Sequence, residues 1–492
     1  MTASFGQKMA RGATWMLLFK FVDRGLSFVS TIVLARVLVP ADFGLVAMAM
    51  SVIALIELAS AFSLEVGLIQ RKDPSRAHYD TTWTLRLALT LLCALLTAAL
   101  ALPAASFYAD PRLAPIMWVL AAGWLIEGLE NIATVDFRRE LNFRREFVFL
   151  AVKRVLAVAV TLGAALWFRS YWALIAGTLA GRVVGLALSY AMLAYRPRFC
   201  LRAWRDVMGF SVWLFISNVL VFINSRVSHF VIGRTHGAGP LGLYTMAADL
   251  AALASSEITM PINRAVLPGL SRMAENEDGM RGGLVRVIAA VALLALPASF
   301  GLAAIAEPLV LTLLGARWID AVPVVQVLAF AGALQAITAT NQSAYLASGR
   351  SFVPVITQST LAAVLVALLV AFAGRGVIGI AIAQLCATIA AVGVSVALMR
   401  RFLAVRATAL LGAVARPLIA GALMAILVFA LDRARFGLGA DLAAPLRLVF
   451  GLIAGAASYA LLVLALWIAA GRPDSIERQL LVRLRRLRVA AP

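Results

Sequence analysis

Charge is scarce in this sequence, and so are the residues that carry chemistry. Only 14% of the 492 residues are charged, against about 25% in a soluble domain, so water is excluded as the solvent for most of the surface. Cys93, Cys200 and Cys386 stand far apart with no metal-ligand spacing and carry no information on redox compartment. His78, His229 and His236 form no H-E-x-x-H or comparable pattern, and no nucleophile elbow G-x-S-x-G occurs. Lys8, Lys20, Lys72 and Lys153, the only lysines, follow Gln, Phe, Arg and Val. A phosphate-cradling loop needs a Gly-Lys pair, so this chain alone is not a P-loop ATPase. Nothing here argues for covalent catalysis, and the chain does not read as an enzyme.

What is abundant is apolar sequence, at 63% of all residues. Runs near 20 residues recur along the whole length, each able to cross a hydrocarbon core of about 30 Å at 1.5 Å per residue. Windows of about 19 residues predict spans near 13–37, 43–68, 83–107, 113–134, 148–168, 171–195, 209–233, 243–268, 284–314, 320–347, 351–373, 377–400, 409–431 and 446–470. Lys8 and Arg11 before the first run resemble a signal peptide, but Lys20, Asp23 and Arg24 interrupt its apolar region, so the reading is an uncleaved first span. Connecting segments stay under roughly 20 residues, too short for a soluble domain. Function must therefore reside among the helices.

The net charge of +20 does not point to nucleic acid, because the cations sit in short clusters between apolar runs instead of on one aromatic-interleaved face. Alternate turns carry them: Arg71, Lys72 and Arg76; Arg138 to Arg154; Arg196 to Arg205; Arg272 to Arg286; Arg350; Arg400 to Arg406; and the tail from Arg472. The positive-inside rule makes these turns cytoplasmic and puts both termini there. The basic connector from Phe137 to Glu146 reads as an amphipathic segment able to lie on an anionic leaflet.

A shift of 198 residues aligns Thr31-Ile-Val-Leu-Ala-Arg36 with His229-Phe-Val-Ile-Gly-Arg234, and Phe43-Gly-Leu-Val-Ala-Met48 with Leu241-Gly-Leu-Tyr-Thr-Met246; Trp15 and Trp213 keep the same register. A parallel duplication follows, with an axis along the membrane normal. The fold class expected is all-α and polytopic, with about 14 transmembrane helices. They divide into a six-helix lobe over 1–200, a second over 201–405, two appended helices in 406–470 and a basic tail over 471–492.

Ionisable groups inside spans are the informative residues, because each costs roughly 2.5–3.5 kcal/mol at a helix centre on insertion scales. In the first span Lys20, Arg24, Ser27 and Thr31 share one stripe, with Asp23 beside it. A neutralised cluster that locks this helix to a neighbour is one reading. Asp23 offsets only one of the two cations, so an anionic ligand is the other. Further deep charges are Glu57 and Glu65 in the second span, Arg182 in the sixth, Arg226 in the seventh, and Asp249, Glu257 and Arg264 in the eighth. Asn218, between Ser211 and Ser225, gives the seventh span a polar stripe. In the tenth, Gln335, Thr338, Gln342 and Tyr345 do likewise, flanked by Asn341. Interhelical glue or a hydrated cleft explains such stripes. Gly177, Gly181 and Gly185 around Arg182 predict close helix packing, Arg36 and Arg234 predict snorkelling at the outer interface, and Pro297 and Pro308 are placed to bend the ninth span.

Several motifs resemble a known family. They are Leu34-Ala35-Arg36-Val-Leu-Val-Pro40-Ala-Asp42-Phe43-Gly44, Gly67-Leu-Ile-Gln70-Arg71-Lys72, Arg138-Arg139-Glu140-Leu141-Asn142-Phe143-Arg144, Tyr171-Trp172-Ala173-Leu174, Ile232-Gly233-Arg234 and Leu241-Gly242-Leu243-Tyr244. In order and spacing they resemble the Wzx-type lipid-linked oligosaccharide flippases, the polysaccharide transporters of the multidrug/oligosaccharidyl-lipid/polysaccharide exporter superfamily. The resemblance implies a bacterial inner-membrane transporter that moves an undecaprenyl-diphosphate-linked oligosaccharide to the periplasmic leaflet. It implies a cationic cavity for the diphosphate, no cofactor, and coupling in some members to a proton or sodium gradient. Polysaccharide polymerase and glycosyltransferases are the implied partners, besides the bilayer and the lipid-linked sugar. On charge, Lys20, Arg24, Arg226 and Arg264 are the candidate cations. Asn218, Gln335, Asn341, Gln342 and Tyr345 are candidate sugar contacts, and Asp23, Glu57, Glu65, Asp249 and Glu257 are the carboxylates able to carry a coupling ion. The alternatives are a multidrug and toxin extruder of the same superfamily, or a polymerase or ligase, which would need a large periplasmic loop.

Overall fold

The structure is a computed structural model that describes residues 5–59, 67–69, 71, 73–204, 212–254, 277–348, 350, 352–434 and 443–471. Glu65, Glu257, Arg264, the tail 472–492 and the Gln342 side chain lie outside the described residues.

Helices account for nearly all of it. The first compact unit, Met1–Gly242, holds α1 (Phe5–Val37), α2 (Pro40–Ala59), α3 (Arg76–Ala99), α4 (Ala101–Tyr108), α5 (Leu113–Gly128), α6 (Phe143–Phe168), α7 (Trp172–Met192) and α8 (Val212–His236). A ninth helix, α9, covers residues 238–254. The second unit, Leu243–Pro492, holds α10 (Glu277–Ala304), α11 (Ala306–Leu313), α12 (Val322–Ala347), α13 (Phe352–Phe372), α14 (Gly376–Leu403), α15 (Ala407–Ala434) and α16 (Ala444–Ala469). Among the described residues ten helical stretches are long and apolar enough to cross a bilayer, or eleven with α5 and its continuation Ile132–Arg139, which bend by 72°. The protein is therefore an all-α, polytopic membrane protein. At 33 residues α1 exceeds bilayer thickness, but Lys20, Asp23 and Arg24 interrupt its apolar character.

Several boundaries differ from the sequence reading, each for a local reason. The expected span 83–107 is two helices that meet at Leu100, and 284–314 breaks at Ile305. α6 starts at Phe143 instead of near 148 because Asn142 caps it, its Oδ1 accepting from the Arg145 N–H at 3.4 Å. The connector before it is anchored to the protein. Phe137 is buried, Leu141 takes a left-handed φ of 57°, and Arg138 pairs with Glu146 at 2.6 Å.

In the first unit α1 packs on α6, α6 on α7, α3 on α5, α5 on α7, and α2 on α8. The glycines of α7 set the α6–α7 approach. A Cβ at Gly177 would stand 1.6 Å from Thr161 Oγ1, one at Gly181 3.3 Å from the Ala157 Cβ, and one at Gly185 2.9 Å from Lys153 Nζ. Gly177→Ala should therefore lower thermal stability by about 1–3 kcal/mol, and Thr161→Ala in the same chain should restore most of it. A melting series on the purified variants reads both effects, and no rescue by Thr161→Ala would discard this account of the packing.

The 198-residue offset reappears in space. Gly44 and Gly242, equivalent positions of the two motif copies, face each other through their turns. A Cβ on Gly44 would stand 1.7 Å from the Ala238 carbonyl oxygen, and one on Gly242 would stand 1.8 Å from the Pro40 carbonyl oxygen. Pro40 and Ala238 are themselves 198 apart and open α2 and α9. Nearby, Arg234 donates to the Phe107 carbonyl at 2.5 Å and lies over its ring.

The segment 193–204, which leaves α7, has no regular structure but is well anchored. Its Arg198 N–H donates to Asp80 Oδ1 at 2.9 Å, its Cys200 N–H to Thr84 Oγ1 at 3.0 Å, and its Ala203 N–H to Thr81 Oγ1 at 3.3 Å. The Tyr195 hydroxyl donates to Asp80 at 2.7 Å, and Asn131 Nδ2 donates to the Tyr195 carbonyl at 2.8 Å. Side chains of α3 thus satisfy backbone groups that a strand would satisfy by pairing.

In the second unit α10 packs on α12 and α15, α12 on α14, α13 on α14, and α15 on α16. Arg447 of α16 ties this helix to two others, pairing with Asp432 of α15 at 2.6 Å and Glu307 of α11 at 3.3 Å.

Candidate functional site

Four helices of the first unit, α1, α5, α6 and α7, enclose a cavity of about 540 Å³. α1 contributes Ser27, Ser30 and Thr31; α5 contributes Glu127; α6 contributes Lys153, Arg154 and Thr161; α7 contributes Thr178 and Arg182. Hydroxyls and charges on four apolar helices fit a polar ligand or water better than lipid.

Three ion pairs between distant segments stand along this cavity. Arg154 Nε meets Asp23 Oδ1 at 2.9 Å, Lys153 Nζ meets Glu130 Oε2 at 3.4 Å, and Arg182 Nε meets Glu127 Oε2 at 3.3 Å. Two of them join two helices and the third joins α6 to the bend after α5, and the glycines of the fold make room for them. A Cβ at Gly123 would lie 2.6 Å from Arg182 Nη1, and one at Gly185 3.1 Å from Glu130 Oε2. Arg182 also lies 5.0 Å over the Trp124 ring, a cation–π contact that helps hold a charge at depth. Arg154 donates a further hydrogen bond to the Ser27 hydroxyl, which itself donates to the Asp23 carbonyl at 2.7 Å.

The Asp23 pair ties α1 to α6. Asp23 is held by Arg154 from α6, so a cation from a second helix joins the charged stripe of α1. Lys20 is half-buried and Arg24 exposed. Neither lines the cavity, but both continue the stripe whose other end, Ser27 and Thr31, does. The Asp23 and Arg154 side chains remain 42% and 40% exposed, so the pair adds little stability. Its main effect is on charge and position.

The other expected residues are dispersed. Glu57, on α2, is close enough to Glu127, Arg182 and Arg226 to sense all three charges, which brings Glu57 and Arg226 to the edge of the same cluster. Asn218 is half-buried on α8 and Asp249 exposed on α9. In the second unit Gln335 is exposed, whereas Asn341 is buried and donates to Ser395 at 3.1 Å. Tyr345 is buried in an apolar cluster with Met280, Leu284 and Met399.

Sequence reasoning missed Lys153, Arg154, Glu127 and Glu130 as interior charges. With α6 placed from 148, Lys153 and Arg154 merged into the basic turn before it. A start at Phe143 puts them about 15 Å along the helix axis, deep among the other helices. Two carboxylates three residues apart at the end of the fourth span were the available signal.

A many-helix fold with polar clusters inside an otherwise apolar body defines an integral membrane protein, and structures with this fold are known. The chain matches the lipid II flippase MurJ in its inward closed conformation, with a TM-score of 0.75 over 93% of this chain and 100% of that one at 13% identity. It matches an inward-facing multidrug resistance MATE family transporter with a TM-score of 0.58 over 77% of this chain and 94% of that one at 16% identity. A family model described as Polysaccharide biosynthesis protein matches residues 33–323. The chain belongs to this family. Among its relatives, the lipopolysaccharide biosynthesis protein WzxC of Escherichia coli (strain K12) is 24% identical over 70% of this chain and 71% of that protein. The succinoglycan biosynthesis transport protein ExoT of Rhizobium meliloti (strain 1021) is 28% identical over 65% of each. The chain is thus a multi-pass membrane protein.

Proposed function

We propose that this protein flips an undecaprenyl-diphosphate-linked oligosaccharide from the cytoplasmic to the periplasmic leaflet, for export of a surface polysaccharide. It does so as fourteen transmembrane helices, six in each of two lobes that alternate access and two appended, with both termini cytoplasmic. The observation that carries this reading is the charge-lined cavity between α1, α5, α6 and α7, to which Lys153, Arg154 and Arg182 bring cations. A diphosphate supplies the matching negative charge and accepts charge-assisted hydrogen bonds. Lys20 and Arg24 are its first contacts, with Arg226 and Arg264 as further cations and Asn218 and Gln335 as contacts for sugar. Among the candidate carboxylates we take Glu57 as the coupling group, because the charges of Glu127, Arg182 and Arg226 act on it. The relatives named for lipopolysaccharide and succinoglycan biosynthesis support the substrate class. Polymerase and glycosyltransferases of the same polysaccharide are the proposed neighbours.

Lys20→Ala/Arg24→Ala should remove surface polysaccharide while the amount of protein in the membrane stays constant. Lys20→Arg/Arg24→Lys, which keeps both charges, should retain part of the output. Full output from the alanine pair would end the assignment of the α1 cations. For coupling, translocation of lipid-linked sugar in vesicles should slow when the proton or sodium gradient is collapsed, and indifference to both would leave facilitated movement.

A further inference from the structure

We infer that the anchored segment 193–204 is a docking surface for anionic phospholipid headgroups, built to hold phosphatidylglycerol-type lipid against the protein. Its twelve residues include three arginines, Arg196, Arg198 and Arg202, and no acid. All three are exposed, and exposed large apolar side chains alternate with them: Phe199, Leu201 and Trp204, of which Phe199 is 76% accessible. Cations beside aromatic and aliphatic groups suit the headgroup layer, where guanidinium reaches phosphate and the rings lie at the top of the chains.

Two features make this a surface with a purpose and not simply a basic turn. The first is rigidity. The N–H groups of Arg198, Cys200 and Ala203 point inward to Asp80, Thr84 and Thr81, and the Phe199 ring lies 5.3 Å from that of Trp83. The side chains are therefore displayed without further ordering of the backbone, which lowers the entropic cost of binding. The second is charge. Asp80, the acid nearest the segment, is buried beneath it and occupied by Tyr195, Arg198 N and Arg76. The guanidinium groups of Arg198 and Arg202 make no ion pair with a described carboxylate. Position completes the match, since the segment leaves directly from the end of α7 and so lies at the level of the headgroups. It is an open strip rather than a walled site, which suits a bulk phospholipid and gives a sugar no enclosure.

The test uses the full chain in detergent, titrated with phosphatidylglycerol or phosphatidylcholine while bound lipids are counted by native mass spectrometry. Wild type should prefer phosphatidylglycerol. Arg198→Gln/Arg202→Gln, whose side chains hold nothing in the fold, should weaken that lipid about fivefold for each arginine and leave phosphatidylcholine unchanged. Phe199→Ser/Trp204→Ser should weaken both lipids. Arg375→Gln/Arg433→Gln, at exposed arginines elsewhere, should keep the preference. Three outcomes overturn the inference: no preference in wild type, no loss in the Arg198/Arg202 pair, or an equal loss in the Arg375/Arg433 pair. A polyprenyl diphosphate that displaces phosphatidylglycerol from wild type but not from the Arg198/Arg202 pair would assign the strip to the transported lipid and also overturn it. Because transport is not the readout, these results stand whether or not the flippase reading holds.

Discussion

Gly44→Ala and Gly242→Ala should each destabilise the protein by about 1–3 kcal/mol or more, and each should suppress polysaccharide export. In both cases the added methyl meets a backbone carbonyl at less than 2 Å. The obstacle is not the end of a flexible side chain, so the turns themselves must part. Pro40 and Ala238 open helices, and their carbonyls are fixed by the turns they begin. Combining the two substitutions should cost less than the sum of the single effects, because turns already parted by one methyl have room for the other. The fraction of purified protein that survives a heating step, measured by size-exclusion chromatography, reads the stability change. Additive losses, or wild-type stability in either single variant, would show that this contact does not constrain the turns.

The second large effect is expected at Arg182. Its side chain is 15% exposed and that of Glu127 is 36% exposed, so the pair falls between a surface bridge of roughly 0–1 kcal/mol and a buried one whose disruption costs about 3–5 kcal/mol. Arg182→Ala removes the pair, the contact with Trp124, and a cation whose charge acts on Glu57. A loss of about 2 kcal/mol follows from these magnitudes. Glu127→Gln alone should cost less, because Arg182 still rests on the ring. The double variant Arg182→Ala/Glu127→Gln should recover part of the loss, since no carboxylate is then left without its partner. A cycle with coupling near zero would mean that Arg182 acts through packing alone.

The membrane class, the helical character of the chain and the packing role of Gly177, Gly181 and Gly185 were legible in the sequence, because apolar run length and small-residue spacing are local properties. So was the presence of a charged stripe on α1. What local pattern does not encode is pairing between helices. Asp23 stands one residue from Arg24 in sequence, yet its partner is Arg154, 131 positions away and in a segment that reads as a basic turn. The same limit applies to Asn341 and Tyr345. By spacing, Tyr345 on the stripe and Asn341 beside it suit interhelical glue and a hydrated cleft equally; Asn341 meets Ser395 of another helix and Tyr345 enters an apolar cluster. A stripe that faces protein and one that faces water have the same period. Boundaries moved where a cap or a left-handed residue overrode hydropathy, as Asn142 does for α6.

The meeting of Gly44 with Ala238 and of Gly242 with Pro40 is the arrangement found in isologous interfaces, where residue i of one copy touches j of the other and j touches i. A half-length chain bearing this motif once would carry a self-complementary patch, able to form a two-fold homodimer. Joining two such chains end to end would preserve the contact unchanged. It would also free each copy to diverge, so that only one of them now carries the Asp23 and Arg24 charges: the equivalent positions are Val221 and Phe222.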